Sequence, residues 1–179
     1  DIVAVNISTG ALSITTTGTI TGNGTINANC GIFAKINNAA RTGDLTINAA
    51  TTTGGNYGIF AENKGTGALS ITTTGTTTGG EGGIYVNNSS AGTSLTIEAA
   101  TTTGGIDGIF AENKGTGALS ITTSGAITGG TSYGIAALTL ANKTTNITLN
   151  SGAVSSTAGL GIFNNGGSST TTVNTGASV

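Results

Sequence analysis

The stretch GIFAENKGTGALSITT occupies residues 58–73 and occurs again, without change, at residues 108–123. Its opening triplet, a glycine, an isoleucine and usually an aromatic residue, recurs along the chain at intervals of 25 to 27 residues. The recurrences are Gly31-Ile32-Phe33, Gly58-Ile59-Phe60, Gly83-Ile84-Tyr85, Gly108-Ile109-Phe110, Gly134-Ile135-Ala136 and Gly161-Ile162-Phe163. A fixed period of this length is typical of proteins built from stacked structural repeats.

The N-terminal residues belong to the same series. Residues 1–6 (DIVAVN) align with residues 58–63 (GIFAEN), and Leu-Ser-Ile follows at the same distance in both. The chain therefore divides into seven units, which begin near residues 1, 31, 58, 83, 108, 134 and 161. We expect one repeat segment over residues 1–179. Neither end carries a capping sequence, so we expect a fragment of a longer array.

A second motif within each unit alternates apolar, hydroxyl-bearing and apolar residues. Its members are Leu12-Ser13-Ile14, Leu45-Thr46-Ile47, Leu69-Ser70-Ile71, Leu95-Thr96-Ile97, Leu119-Ser120-Ile121 and Ile147-Thr148-Leu149. A third short segment follows, as in Thr19-Ile20-Thr21, Thr76-Thr77-Thr78 and Ala126-Ile127-Thr128, and a glycine closes it. Alternation with a period of two, in residues that favour β-structure, predicts three short strands per unit.

Short strands at this period favour a parallel β-solenoid. If each unit forms one coil, every strand pairs with its equivalents in the coils above and below, and only the end coils leave strand edges open. Helical repeats are excluded because glycine and threonine are poor helix formers and no 3.6-residue periodicity is sustained. The predicted fold is an all-β parallel β-helix of about seven coils of ~25 residues with three short strands each.

Composition limits the classes of function. The chain has 32 glycines, seven aromatic residues, no proline or histidine, and a formal net charge of -2. Nucleic-acid binding is not expected, because the five basic residues are scattered along the sequence. They are Lys35, Arg41, Lys64, Lys114 and Lys143. The single cysteine, Cys30, cannot form an internal disulfide and reads as a small buried apolar side chain.

Stacked coils place equivalent residues on one another, which raises two questions. Asn63, Asn88 and Asn113 occupy one position and could form a hydrogen-bonded amide ladder, or could simply favour the turn that follows them. A second candidate set is an outward stripe of Phe33, Phe60, Tyr85 and Phe110, because inward Ile and Ala residues alternate with these rings. In the alternative arrangement the rings point inward and the isoleucines outward.

The first unit is longer than the others, with 30 residues between Asp1 and Gly31. Its extra residues lie between Leu12 and Gly31, around the sequence TGNGT at residues 21–25. An insertion in a solenoid must leave the column at a turn, because the strand ladder fixes the rest of the coil. We therefore expect an exposed loop there.

Repeats such as those at residues 58–75 and 108–125, with the sequence GIFAENKGTGALSITT followed by Thr-Gly or Ser-Gly, resemble the passenger repeats of autotransporter adhesins of Gram-negative bacteria. The resemblance covers nearly the whole chain. It implies a right-handed parallel β-helix at the bacterial cell surface, with an N-terminal signal peptide and a C-terminal membrane barrel outside this segment. The scarcity of cysteine is also similar to that family.

No cofactor or metal site is expected. The glycine-rich turns lack the calcium-binding nonapeptide and the phosphate-binding Gly-Lys-Ser/Thr sequence. Glu62 and Glu112 occupy equivalent positions two coils apart, at a spacing compatible with a glycosidase pair. Their repetition beside Lys64 and Lys114 indicates a duplicated, solvated charge row instead of a catalytic site.

These observations predict a non-enzymatic, adhesive module that works outside the cell and presents a repetitive face to host-surface or other cell-surface molecules. Self-association into a fibre of solenoids stacked end to end is one alternative. A carbohydrate-active β-helix is the other, and the sequence offers no cluster of Asp, Arg and His to support it.

Overall fold

The computed structural model describes residues 1–23, 29–40 and 42–179, and folds them into three parallel sheets of seven strands each. Successive strands belong to sheets 1, 2 and 3 in turn. Three consecutive strands form one coil, and seven coils stack into a column. The predicted β-solenoid, with about seven coils and three strands per coil, is confirmed. None of the described residues forms a helix long and apolar enough to cross a membrane.

The strands of the three sheets are short and similar in length from coil to coil. Sheet 1 contains β1 (Ile2–Asn6), β4 (Cys30–Ile36), β7 (Tyr57–Asn63), β10 (Gly82–Asn88), β13 (Asp107–Asn113), β16 (Tyr133–Thr139) and β19 (Leu160–Asn165). Sheet 2 contains β2 (Leu12–Thr15), β5 (Leu45–Ala49), β8 (Leu69–Thr73), β11 (Leu95–Ala99), β14 (Leu119–Thr123), β17 (Thr144–Leu149) and β20 (Ser168–Val173). Sheet 3 contains β3 (Ile20–Thr21), β6 (Thr52–Gly54), β9 (Thr77–Gly79), β12 (Thr102–Gly104), β15 (Ile127–Gly129), β18 (Gly152–Ser156) and β21 (Ala177–Ser178).

Apolar side chains from the three sheets fill the interior of the column in continuous rows. The isoleucines of the opening triplets pair with one another in register through sheet 1, and Ile2 extends this row to the first coil. In sheet 2 the leucine and isoleucine of each second motif form two more rows. Most of these side chains have no solvent exposure, so the column has a narrow core made mainly of Ile, Leu, Val and Ala.

The register of one predicted motif is wrong by two residues. The sequence suggested that Ile147-Thr148-Leu149 repeats Leu119-Ser120-Ile121, but Ile147 pairs with Ile121 and Leu119 pairs with Thr145. A shift of two residues keeps every side chain on the same face, so alternation alone could not detect it. Thr145 takes the leucine position, is fully buried, and shares a hydrogen bond of 3.0 Å with the hydroxyl of Thr139.

The glycine of each opening triplet lies where sheet 3 turns into sheet 1, and close packing excludes a side chain there. A Cβ atom on Gly83 would lie 2.4 Å from Cγ2 of Thr102 and 2.7 Å from the carbonyl oxygen of Gly108. Gly31, Gly58, Gly108 and Gly134 meet the same kind of obstacle. These glycines therefore let the inward residue of sheet 3 pack directly against the backbone of sheet 1.

The hydrogen-bonded ladder of the first coil is regular through strand β3 and as far as Gly22. Ile20 and Thr21 pair with Thr52 and Thr53, and the amide of Gly22 still donates to the carbonyl oxygen of Thr53 at 2.7 Å. The loop predicted around residues 21–25 therefore begins in the regular ladder. Its continuation at residues 24–28 lies outside the described residues.

Replacing Ile121 with Asp should abolish cooperative folding. Ile121 has no exposed surface and pairs in register with Ile97 and Ile147, so a carboxylate there would be buried without a partner, at a cost on the order of several kcal/mol. Urea unfolding followed by circular dichroism measures the loss. The matched control is Ser120→Asp, which changes the neighbouring outward residue, and a similar loss in both variants would contradict this position for Ile121.

Replacing Gly83 with Ala should destabilise the column by about 1–3 kcal/mol, because the added methyl group overpacks a rigid backbone contact. Gly18→Ala is the control, since no atom lies within 4 Å of a Cβ at that position. The measurement is the urea midpoint of each variant. Equal midpoints for the two variants would show that the close approach at Gly83 does not limit the choice of residue.

Candidate functional site: an aromatic stripe and an amide ladder on sheet 1

Four aromatic rings stack along the outer face of sheet 1, and we call Phe33, Phe60, Tyr85 and Phe110 the aromatic stripe. Their ring centroids are 5.1, 5.2 and 4.9 Å apart in sequence order, and successive ring planes are parallel within 7°. Each ring is partly exposed, while the isoleucines beside them are buried. The rings therefore point outward. Their faces cover one another, so ring edges make up most of the surface that solvent meets.

The stripe ends where the aromatic residue of the triplet is replaced. Val3 pairs with Phe33 in the first coil and is 48% exposed. At the other end Phe110 pairs with Ala136, which is almost fully buried although it lies in the outward row. Phe163 follows Ala136 in register and stacks on Tyr133, with a centroid distance of 5.0 Å. The stripe thus spans four consecutive coils, and a separate aromatic pair lies beyond it.

Tyr57 widens the stripe on one side, and the sequence analysis did not include it. Its ring packs at a tilted angle against Phe60 and Tyr85, with centroid distances of 5.6 and 5.3 Å. Tyr57 lies at the start of β7, next to the corner of the coil, where the alternation of inward and outward residues breaks down. A usable signal exists in the sequence, because Tyr57 and Tyr133 both directly precede a Gly-Ile pair.

A shallow depression lies beside Tyr57 and is lined by aromatic, acidic and apolar residues. Glu81 and Asp107 contribute carboxylates, and Ile106, which is 43% exposed, contributes an apolar side chain. Both carboxylates already have protein partners. Asn56 donates to Glu81 at 3.0 Å, and the backbone amide of Tyr133 donates to Asp107 at 3.0 Å. The depression extends the surface of the stripe and does not hold a set of free acidic groups.

Burial raises the pKa values of three groups near the stripe. The pKa of Tyr57 is well above its ordinary value because the side chain is desolvated and hydrogen-bonds to Glu81. Burial, followed by the negative charge of Glu112, raises the pKa of Tyr85. The pKa of Cys30 rises to about 11 through burial and the charge of Glu81. At neutral pH all three groups are protonated, so Cys30 is a poor nucleophile.

A polar row runs parallel to the stripe, two residues further along each strand. Lys35, Glu62, Asn87 and Glu112 occupy successive coils in register. Glu62 forms ion pairs with Lys35 and with Lys64. Glu112 accepts from Asn87 at 2.8 Å and pairs with Lys114 at 3.0 Å. The duplicated charges therefore neutralise one another along the surface of the column.

Asn63, Asn88 and Asn113 form a buried hydrogen-bonded row, which we call the amide ladder. Nδ2 of Asn63 donates to Oδ1 of Asn88 at 3.0 Å, and Nδ2 of Asn88 donates to Oδ1 of Asn113 at 2.8 Å. The same side chains bind the following turn. Asn63 donates to the carbonyl oxygen of Gly67 and accepts from the amide of Gly65, both at 2.9 Å. Each amide thus performs both of the roles that the sequence left as alternatives.

The described residues contain no group of three or more His, Cys, Asp or Glu side chains that could hold a metal ion. What sheet 1 offers is a stacked aromatic surface, a neutralised charge row beside it, and a buried amide ladder that fixes the turn after each strand. Of the residues singled out in the sequence, the stripe is a surface feature and the ladder is part of the interior.

Replacing Asn88 with Ala should cost about 1–3 kcal/mol, because the change removes its buried hydrogen bonds to Asn63, to Asn113 and to the carbonyl oxygen of Thr93. The control is Asn87→Ala on the outer face, which should change stability by about 0.5 kcal/mol or less. Urea unfolding of both variants provides the comparison. If the Asn88 variant is as stable as the control, neither the ladder bonds nor the turn bonds of Asn88 contribute to stability.

Comparison with protein-family models, with curated proteins and with solved structures finds no match to this chain.

Proposed function

We propose that this chain is a structural and adhesive module, a rigid β-solenoid column that presents one repetitive face for contact between surfaces. The observation that supports this most directly is the aromatic stripe. Its rings are held 4.9 to 5.2 Å apart over four coils on the outside of the column. Exposed apolar patches of this kind usually mark a contact with another molecule.

The mechanism we propose is multivalent contact. One partly exposed ring edge offers a weak interaction, but a row of rings in fixed register offers several at once without further loss of conformational freedom. Once one ring is engaged, the others meet their partners at a high effective concentration. The buried Ile and Leu rows beneath the stripe hold this spacing, so the fold itself supplies the preorganisation that multivalent binding requires.

The acidic residues of the same face favour a non-enzymatic role. Glu62 and Glu112 lie two coils apart, at a backbone separation of ~10 Å, with Asn87 between them. Each carboxylate is in an ion pair with a lysine. A glycosidase needs two carboxyl groups that are free to act on the sugar bond between them, and both carboxylates here already bind lysine side chains.

The proposed setting is the surface of a bacterial cell, where the column would contact host-surface or other cell-surface molecules. This part of the proposal rests on the resemblance of the repeats to autotransporter passengers. The composition agrees with it, since the chain contains one cysteine and 12 formally charged residues among 179.

A self-assembling fibre is the second candidate. Apolar side chains of the two end coils are exposed, including Val3 and Val5 at one end and Leu160 and Val173 at the other. Copies stacked end to end would pair the outer strand edges of these coils and continue their side-chain rows. Unbranched filaments of the purified chain in electron micrographs would favour this candidate over a column that binds through its side.

The stripe can be tested with beads that carry the purified chain and are applied to cultured epithelial or bacterial cells. Phe110→Ser alone should reduce bead retention by about two-fold or less, whereas Phe60→Ser, Tyr85→Ser and Phe110→Ser together should reduce it by about ten-fold or more, because multivalent contact is lost. The triple variant loses stacking contacts of about 0.5–1.5 kcal/mol each. It should remain folded, because its buried rows are unchanged.

The matched control changes three outward residues on the same coils of sheet 2, Ser70→Ala, Thr96→Ala and Ser120→Ala. Circular dichroism and urea unfolding establish that each variant is folded. Normal retention by a folded triple aromatic variant would show that the contact face lies elsewhere on the column. Unfolding of that variant would assign the rings to the core and remove the stripe as a contact surface.

A further inference from the structure

The strands of sheet 3 carry one outward row of threonine in register, and a second row of threonine directly precedes these strands. The first row continues without interruption over five coils and ends with a serine. Its members are Thr21, Thr53, Thr78, Thr103, Thr128 and Ser155. The second row lies two residues earlier in each coil, and successive backbone hydrogen bonds keep it aligned. Its members are Thr19, Thr51, Thr76 and Thr101, followed by Ala126 and Ala153.

The spacing of this array follows from the fold. Adjacent coils are ~4.8 Å apart, and two residues of extended chain span ~6.6 Å, which sets the approximate distance between the strand row and the row just before it. Every threonine of both rows is partly or fully exposed. Within the described parts of the chain, none of their hydroxyl groups has a protein hydrogen-bond partner. The face therefore presents a two-dimensional lattice of hydroxyl and methyl groups to water.

No side chain of this face is charged, and the N-terminal ammonium group of Asp1 donates to the carbonyl oxygen of Thr21 at one end of the first row, at 3.0 Å. Neither the strands of sheet 3 nor the residues of the second row include Asp, Glu, Lys or Arg. The other two faces differ. The polar row of sheet 1 is charged, and the hydroxyl rows of sheet 2 are interrupted by Asn48, Glu98 and Asn146. A regular, neutral surface is thus confined to one side of the column.

We propose that the threonine array of sheet 3 binds ice. The two repeats of the array lie close to the two oxygen repeats of a prism face of hexagonal ice, so bound water can continue the crystal lattice. A neutral crystal supplies no counter-charge, and a charged side chain would lose hydration at its surface. An uncharged face is therefore complementary to it. Hydroxyl groups bond lattice water, and the methyl groups between them restrict the orientation of the remaining water.

This inference does not depend on the adhesive role, because it uses a different face and none of the aromatic residues. Each hydroxyl contact is weak, but the array offers many in one register, and their sum can hold the column on a growing crystal. A threonine array that binds ice should shape crystals into facets and lower their freezing point below their melting point.

The experiment compares the whole chain with two double variants in a nanolitre osmometer. Thr78→Lys with Thr103→Lys places charges at adjacent positions of the array, and Ser70→Lys with Thr96→Lys does the same on the same two coils of sheet 2. The unmodified chain should facet ice and open a gap between melting and freezing. The first pair should reduce that gap by about ten-fold or more, because multivalent contact is broken, and the second pair should keep it.

Two results would overturn the proposal. Round, unfaceted crystals with no freezing gap in the unmodified chain would show that the array has no affinity for ice, as would an equal loss in both pairs. If circular dichroism shows that a lysine variant is unfolded, two alanine double variants replace the lysine variants, one with Thr78→Ala and Thr103→Ala and the other with Ser70→Ala and Thr96→Ala. Equal gaps between melting and freezing in these two variants would reject the array. The unmodified chain could also show no gap between melting and freezing and instead form dimers that the Thr78 and Thr103 substitutions disrupt. That result would reject ice binding and assign the face to contact with a second copy of the chain.

Discussion

The parallel hydrogen-bonded register between coils is the constraint on which the rest of this structure depends. The described strands pair with their equivalents in the neighbouring coils, so a coil depends on its neighbours to satisfy its backbone groups. Because equivalent residues then lie ~4.8 Å apart, a side chain that fits one coil fits the next. This explains why sixteen residues can recur unchanged. The repeat preserves the stacking of identical residues in neighbouring coils, independently of any function of the outward-facing residues.

Close packing at the corner between sheets 3 and 1 sets a second constraint. The glycine before each isoleucine leaves room for the inward residue of sheet 3, which is Thr52, Thr77 or Thr102 in three of the central coils. The hydroxyls of Thr52 and Thr77 are buried without a hydrogen-bond partner among the described residues. An unsatisfied hydroxyl costs about 1–3 kcal/mol. Packing of the threonine methyl group against the glycine therefore takes precedence over hydrogen bonding at these positions.

Much of this architecture could be predicted from the sequence, because a period of about 25 residues and an alternation of two leave little freedom. The isoleucine rows followed from those two patterns, which favoured an outward direction for Phe60 but left the inward arrangement open. The period and the alternation could not reveal a shift of two residues in the pairing register, such as the one at Ile147. Alternation also breaks at the corners, which is why Tyr57 was missed. The roles of Asn88 could not be separated because a buried amide has enough donors and acceptors for both.

The three outer faces differ because the interior determines the fold and leaves them free to vary. Sheet 1 combines stacked rings with paired charges, sheet 2 mixes hydroxyl groups with Asn and Glu, and sheet 3 has neutral threonine rows. Replacing an outward-facing residue changes one outer face and leaves the buried rows intact. One column can therefore carry separate contact surfaces on separate sides, each repeated at the spacing of the coils. A change in one surface need not alter another.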